Sequence, residues 1–592
     1  MKKNEVLTYT GVWLLTALFY LYPYIATFSS IGYGEIPPLF DSDLYLYMNF
    51  ANVHISPEGT ITSPWYGDTI NASTWAYRKF DLSFIIFRTI AAICGGSWTL
   101  TMIVWTLFWV SVIYIAALWL FRMMAGYDKK LLIVFGLLFL FLMRVPEIAN
   151  IIKLWLHLPS ISDTLKVDLA FSRAFFPQAS IVFLFLYMIF LIKALEKSSL
   201  DKWLILTVVQ FLALKTFPYL LMIVAFTTFL AVVFYLFSNR EKLKFSHILL
   251  YALLCGALDL GYLILTGSTE SAGMKVSIID IDFSRLGYFF KGSMILAILF
   301  AALIAFIKPK SSYASKITVL SLGISYIVLT LSHAVFSPAL QIENHIYYFA
   351  TVIFAIEIFY LLIQLEEYLK LKESYKKVIG YLAIILMLIQ GALASQSHYK
   401  RYYAENYINH EIYQGIKNIG CNKDTLIVTP SFVPSLISPI SFSLVCESEI
   451  LYHADAHFLS SKEKNRDPHK IRQAIYYYLT GKDEKWIHQV WDPKTDWKKQ
   501  YELVIPVLRL FLKNKNKEEF LKSKEDEMLY YFKNYVKNKD KLNKFFSKYK
   551  TVIIVDFNKD PLFKQERIND LMRLKKKKES KDVTFYVMEP QR

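Results

Sequence analysis

The side chains with the most chemical promise are two carboxylates two residues apart, in Asp41-Ser42-Asp43, followed by Tyr45 and Tyr47. Carboxylates at i and i+2 can share one divalent cation, or one can act as a base while the other tunes it. The same pair can be a solvated acidic loop, or the N-cap of a helix starting at Leu44. In Gln341-Ile342-Glu343-Asn344-His345 a carboxylate stands two residues from an imidazole. These can share a metal, orient a hydroxyl or relay a proton, or simply form a polar turn. Arg173, in Phe171-Ser172-Arg173-Ala174-Phe175-Phe176-Pro177-Gln178, offers a guanidinium suited to phosphate. Its plainer role is an interfacial arginine against lipid head groups. Lys215, in Lys215-Thr216-Phe217-Pro218, either snorkels outward or meets a phosphate at a broken helix. His453-Ala454-Asp455-Ala456-His457 would put two imidazoles and a carboxylate on one face of a strand. No fourth ligand stands at a recognised zinc spacing, so a polar strand or loop is the simpler reading.

Composition tells which scaffold must position these groups. The chain has 592 residues, 55% hydrophobic and only 19% charged. That balance fits neither disorder, collagen nor a coiled coil, and four cysteines are too few for a disulfide scaffold. About eleven bilayer spans of roughly 20 residues account for the apolar excess. Apolar runs lie near 7–28, 98–121, 131–145, 176–192, 203–215, 218–237, 247–266, 287–307, 317–334, 346–364 and 378–394. The first is too long for a signal-peptide core and lacks a small-residue cleavage site. The stretch 203–237 divides at Pro218, because proline ends a helix and polar backbone is tolerated where it lines a cavity.

Charge then orients the spans. With a cytoplasmic N-terminus, the short inner segments carry Lys2/Lys3, Arg122/Lys129/Lys130, Lys193/Lys197/Lys202, Arg240/Lys242/Lys244, Lys308/Lys310/Lys316 and Lys370/Lys372/Lys376/Lys377. All are basic, which is the positive-inside asymmetry. Counting 203–237 as one span would invert every later loop and break the agreement. The net charge of +17 thus reports topology in this half of the chain. An odd number of spans puts everything after about Ser395 outside a cytoplasmic (plasma) membrane. The expectation is a polytopic α-helical membrane protein. Residues 1–395 form the membrane domain, with a large first outer loop at 31–97, and residues 396–592 form a mixed α/β extracytoplasmic domain.

Within the outer parts, Leu82–Ile90 reads as an amphipathic piece along the interface. Asp424–Pro430 and Lys550–Asp556 read as strands bounded by polar residues, and 464–549 reads as mostly helical. Cys421 and Cys446 both fall outside, where a disulfide is permitted, whereas Cys94 and Cys255 sit in apolar surroundings as packing residues. Lys513–Lys550 and the cluster Arg573, Lys575–Lys578 are strongly basic. For an outer domain nucleic acid is excluded as a partner. A solvated face, anionic head groups or a polyanionic envelope polymer fit better. Asn71-Ala72-Ser73 matches a glycosylation sequon, which has meaning only in a eukaryotic secretory pathway.

An acidic pair in the first outer loop, a large helical first loop, about eleven spans and a C-terminal outer domain together resemble the GT-C glycosyltransferase superfamily. The resemblance implies a membrane enzyme that takes a sugar from a polyprenyl-phosphate-linked donor. It passes the sugar to an envelope glycan, lipid or protein acceptor on the outer face. It implies Asp43 as base with Asp41 as partner, the two also forming a site for a divalent metal, Mg or Mn. Phe171–Gln178 is similar to an R-x-x-P-Q segment of GT-C-like proteins, with three residues in place of two between Arg173 and Pro177, and the resemblance makes Arg173 a lipid-phosphate ligand, with Lys215 as a second. Glu343 and His345 resemble a late-loop acidic/histidine element and join the substrate-binding set.

A rival reading starts from Asp259 and Glu357, each about a dozen residues from the end of its span and so near the bilayer midplane. Intramembrane carboxylates are costly and mark cavities or partners. They would suit a proton-coupled transporter or lipid flippase. A non-catalytic GT-C-like scaffold that binds glycans is the third possibility.

Overall fold

The computed structural model describes residues 3–31, 61–62, 69–70, 82–95, 97–126, 129–143, 178–238, 243–265, 281, 283, 292–309, 312–336, 346–370, 372–430, 449–451, 467–491 and 517–591. The chain divides into two compact units. The first holds residues 1–30, 77–266 and 277–402, and the second holds 31–76, 267–276 and 403–592.

The first unit is helical. Its elements are α1 (Lys3–Ile31), α2 (Leu82–Ile93), α3 (Trp98–Ala125), α4 (Lys130–Leu142), α5 (Gln178–Glu196), α6 (Leu200–Thr216), α7 (Pro218–Ser238), α8 (Phe245–Leu265), α9 (Gly292–Phe306), α10 (Tyr313–Leu331), α11 (Ala350–Leu369) and α12 (Glu373–Ile419). Each predicted apolar run falls on a helix of its own. Among the described residues seven helices are long and apolar enough to cross a membrane: α1, α3, α5, α7, α8, α10 and the first part of α12. Large apolar side chains point outward, with Leu253 62% and Phe306 90% exposed, as befits surfaces facing lipid rather than water. The predicted break at 215–218 is present. Pro218 opens α7, and Phe217 before it is extended at φ −162° and ψ 109°, the region proline imposes on its predecessor. The segment at 82–90 is a helix, α2, with Ser83, Phe87 and Ile90 buried.

One end of this bundle collects the basic turns. Arg122, late in α3, lies 3.6 Å from Glu5 at the start of α1. Lys129, before α4, bonds Glu367 at 2.7 Å at the end of α11, and Lys376 of α12 reaches Glu366 at 3.1 Å. Tyr368 donates to the Lys308 carbonyl after α9 at 3.0 Å. Ser312, the N-cap of α10, donates to Glu196 at the end of α5. Tyr313 donates to Ser238 at the end of α7 at 2.5 Å. Ser198, between α5 and α6, accepts from the Lys244 amide before α8 at 3.3 Å. Lys316 donates to the Ala305 and Ile307 carbonyls at 2.8 and 2.7 Å, which satisfies the C-terminus of α9. All the turns that the sequence assigns to one side of a membrane therefore meet at one end.

The predicted domain boundary at 395/396 lies inside α12, a single helix of 47 residues. Beyond it come β3 (Thr425–Val428), β4 (Glu449–Leu451), α13 (Asp467–Leu479), α14 (Glu484–Trp491), α15 (Lys517–Tyr531), α16 (Lys539–Phe546), β5 (Thr551–Phe557), α17 (Gln565–Asn569), β6 (Met572–Glu579) and β7 (Val583–Pro590). Two short strands, β1 (Ile61–Thr62) and β2 (Thr69–Ile70), pair antiparallel in the same unit. The main sheet has the order β4-β3-β5-β7-β6, parallel through β5 and antiparallel beyond. Side chains alternate between the two faces along β3, β5 and β7, so each face acquires its own core. Leu426, Val428, Val552 and Ile554 pack on Tyr476, Tyr477, Met528 and Phe532. Ile427, Ile553, Val555 and Phe585 pack on Ile412 and Ile416, from the last turns of α12. Gly415 permits that contact, because a Cβ there would stand 2.1 Å from the Phe585 ring.

Candidate functional site

Of the predicted site residues, Lys215 is among the described ones, whereas Asp41, Asp43, Arg173, Glu343 and His345 lie outside them. So do His453, Asp455 and His457. What the structure fixes is where the flanking helices end. The first-loop acidic pair follows α1, and Arg173 precedes α5. Lys215 closes α6, and Glu343/His345 stand between α10 and α11. Each of those helix ends is opposite the basic end of its own helix.

Two of these segments are tied directly. Phe217, two residues after Lys215, packs its ring 5.9 Å from that of Phe349, four residues after His345. The Lys215 ammonium lies over the Tyr262 ring of α8 at 4.5 Å, a cation–π contact that holds it at the end of α6. Gln178, the glutamine that ends the Phe171–Gln178 segment, is buried in the first turn of α5 and anchors that segment's end. A groove of about 410 Å³ runs between α1 and α12, lined by Leu18, Phe19, Tyr22, Ile25, Ala392, Ser395 and Gln396. It is largely apolar, with Tyr22 donating to Gln396 at 2.9 Å. It flanks the last turns of α1, the helix from which the Asp41/Asp43 loop departs.

The two carboxylates expected within spans, Asp259 and Glu357, occupy different settings. Asp259 accepts from Gln210 Nε2 at 3.1 Å. Gln210 Oε1 accepts from Tyr251, Tyr251 and Thr228 share a bond of 3.2 Å, and Thr228 bonds Tyr187, which donates to the Val224 carbonyl at 2.5 Å. This chain stitches α5, α6, α7 and α8 together. An amide interrupts it, and an amide does not pass a proton as a hydroxyl does. The partners were legible in principle: Tyr251, Cys255 and Asp259 recur every four residues on one face of α8. Glu357, by contrast, is fully buried, and neither of its carboxyl oxygens has a hydrogen-bond partner. Its Oε1 sits where a Cβ of Gly323 on α10 would be, 2.0 Å away. Among the described residues no hydrogen-bonded path joins Glu357 to the Asp259 chain.

In the C-terminal unit the strongest polar features are structural. Asp424 and Lys550, which begin the two predicted strand segments, form an ion pair of 2.6 Å. Lys550 holds the Asp424 carboxyl below its ordinary range. Asp556, at the end of β5, accepts the amides of Phe557, Leu562 and Phe563 at 3.0, 2.8 and 3.2 Å, while burial pushes its carboxyl up. With three amides on it, Asp556 anchors the following loop. Cys421 is disulfide-bonded, Cys94 and Cys255 are free and buried, and Cys446 lies outside the described residues. Among the described residues no three His, Cys, Asp or Glu side chains gather as a metal site.

No protein-family model matches the chain, and no curated protein matches it. Two solved structures of the oligosaccharyltransferase of Archaeoglobus fulgidus are similar to it. The apo form shares 12% identity at a TM-score of 0.29, over 69% of this chain and 59% of that one. The complex with an inhibitory peptide and a dolichol-phosphate shares 11% identity at a TM-score of 0.31, over 92% of this chain and 69% of that one. The chain thus spans 59% of the length of the first of these. Similarity of that degree identifies no activity.

Proposed function

We propose that the chain is an integral-membrane, GT-C-type glycosyltransferase of about eleven spans. It moves a sugar from a polyprenyl-phosphate-linked donor to an acceptor on the outer side of the membrane. The observation that carries the reading is the sorting of helix ends. The basic turns share one end of the bundle, so the helices leading to Asp41/Asp43, Arg173, Lys215 and Glu343/His345 all present their other ends to these segments.

In the proposed reaction Asp43 removes the proton of the acceptor hydroxyl, and the freed oxygen pair forms the new bond to the anomeric carbon. The bond from that carbon to the donor phosphate oxygen breaks, and the lipid phosphate leaves with its electron pair. Arg173 and Lys215 hold the departing charge, and a cation fixed over Tyr262 gives up little freedom in doing so. Asp41 orients Asp43. The pair would also hold a Mg or Mn ion, which supplies Lewis-acid charge when bound. The groove between α1 and α12 offers apolar surface to a lipid tail.

The test is sugar transfer in vitro by the purified full chain. Asp43→Asn is expected to lower transfer by about 100-fold or more, in the range that removal of a general base reaches. Unchanged transfer overturns the assignment and favours a non-catalytic scaffold. One observation favours transport instead, the buried and unpartnered Glu357. Proton-dependent flux abolished in Glu357→Gln, with Asp43→Asn silent, would establish that alternative.

A further inference from the structure

The C-terminal unit ends its sheet on β6, Met572–Glu579, which pairs with β7 along one edge and has no strand on the other among the described residues. Arg573, Lys575, Lys576 and Lys577 are exposed and Lys578 is half-buried. Lysine is a poor strand former, so a run of four in a strand needs a reason. One reason is protection: lysines on an edge discourage pairing with another chain.

Register shows how the charges are distributed. Arg573, Lys576 and Lys578 stand opposite Glu589, Val587 and Phe585 of β7, on the face that packs on α12. Lys577 stands opposite Tyr586, on the other face, where Glu579 pairs with it and its ammonium lies 5.7 Å from the Tyr586 ring. Lys575 occupies the irregularity between Leu574 and Lys576. Lys577 is therefore neutralised. Lys575, Lys576 and Lys578 have no ion-pair partner among the described residues, and Glu589 is the one carboxylate opposite their row. Alternate residues of a strand repeat at about 6.7 Å, so Lys576 and Lys578 carry positive charge at that interval, with Lys575 beside them, along an unpaired backbone edge.

We infer that the β6 edge is a docking site for an extended polyanion, a linear polymer carrying one phosphate or carboxylate per repeat. The lysines without an ion-pair partner follow the line of a free edge, where the unpaired backbone adds hydrogen-bonding groups, and that suits a chain lying along it. This inference does not rest on the transferase reading.

The test uses the full chain in nanodiscs of phosphatidylcholine, with labelled polygalacturonate of about 20 residues as probe. Neutral dextran, galacturonate monomer and phosphatidylglycerol vesicles are the controls. Wild-type protein is expected to bind the polymer, and neither the monomer at equal charge nor dextran. The triple variant Lys575→Gln/Lys576→Gln/Lys578→Gln is expected to bind about tenfold more weakly, and its log–log salt slope should shrink by about two, as loss of three counterion-releasing contacts requires. Replacing the same three by arginine should keep binding, which separates charge from folding. Equal polymer binding by wild type and the glutamine variant overturns the inference, as does binding of anionic vesicles without the polymer. Self-association of the glutamine variant with unchanged polymer binding also overturns it, and leaves edge protection as the role of the lysines.

Discussion

The helical unit and the C-terminal sheet unit solve opposite problems. In the helical unit apolar side chains lie on inward and outward faces alike, so hydrophobicity says little about which face packs inward. Organisation comes from its few polar groups: basic turns gathered at one end, a hydrogen-bonded chain from Asp259 to Val224, and Glu357 set against Gly323. In the sheet unit charged residues are plentiful, and apolar packing on the two faces of the central strands does the organising. The lesson is that the rarer kind of residue specifies each region. Where water is scarce an unmatched polar atom is costly, and where water is plentiful an apolar ring is what must be placed.

That contrast predicts where damage will be greatest. Phe585→Ala should cost about 3–5 kcal/mol, because its ring fills the contact with Gly415 between β7 and α12. Hydrogen exchange of β5 and β7 peptides in the full chain measures it, and near-native protection in the variant would break the claim that apolar packing governs this unit. Asp556→Asn should cost about 1–3 kcal/mol, since an amide keeps one oxygen for two of the three amide donors and turns an N–H toward the third.

Asp556 also has a pH signature. Its folded carboxyl titrates above the ordinary value, so its stabilising contribution is complete below that value and is lost as pH rises through the raised one. Asp424 has the opposite sign: its contribution is present above the ordinary value and lost as pH falls through the lowered one. The Asp424 pair is exposed and weakened by salt. In high salt the loss of β5 protection with rising pH should persist in wild type and vanish in Asp556→Asn.

An effect of similar size belongs to the helical unit. Gly323→Ala drives a methyl into the Glu357 carboxyl and should cost about 1–3 kcal/mol. Gly323→Ala/Glu357→Ala should recover most of it. Thermal unfolding of the four proteins gives the coupling, and additive costs would show that the two residues do not share the space.

Much of the architecture was legible because it depends on one-dimensional patterns. Apolar runs locate the helices, and Pro218 divides α6 from α7 for a reason local to proline. The strands at 425–428 and 551–557 show as apolar runs bracketed by polar residues. β6 was not legible, since four lysines argue against a strand. It forms because β7 supplies a ladder partner, and pairing overrides propensity. The 47-residue continuity of α12 was hidden for a similar reason. Polar residues after 394 read as the end of a span, yet Ile412 and Ile416 continue the helix against the sheet. At the candidate site the residue types and their order were readable.

The sequence by itself determined which segments are helices, where the basic turns lie and which carboxylates merit attention, because composition and spacing act locally. Only the tertiary structure decided that those turns meet at one end, since their partners are distant in sequence, as with Lys129 and Glu367. It also decided that Asp259 is tied into a hydrogen-bonded chain while Glu357 stands alone. A carboxylate's role depends on what other helices bring to it, and no spacing along one chain segment encodes that.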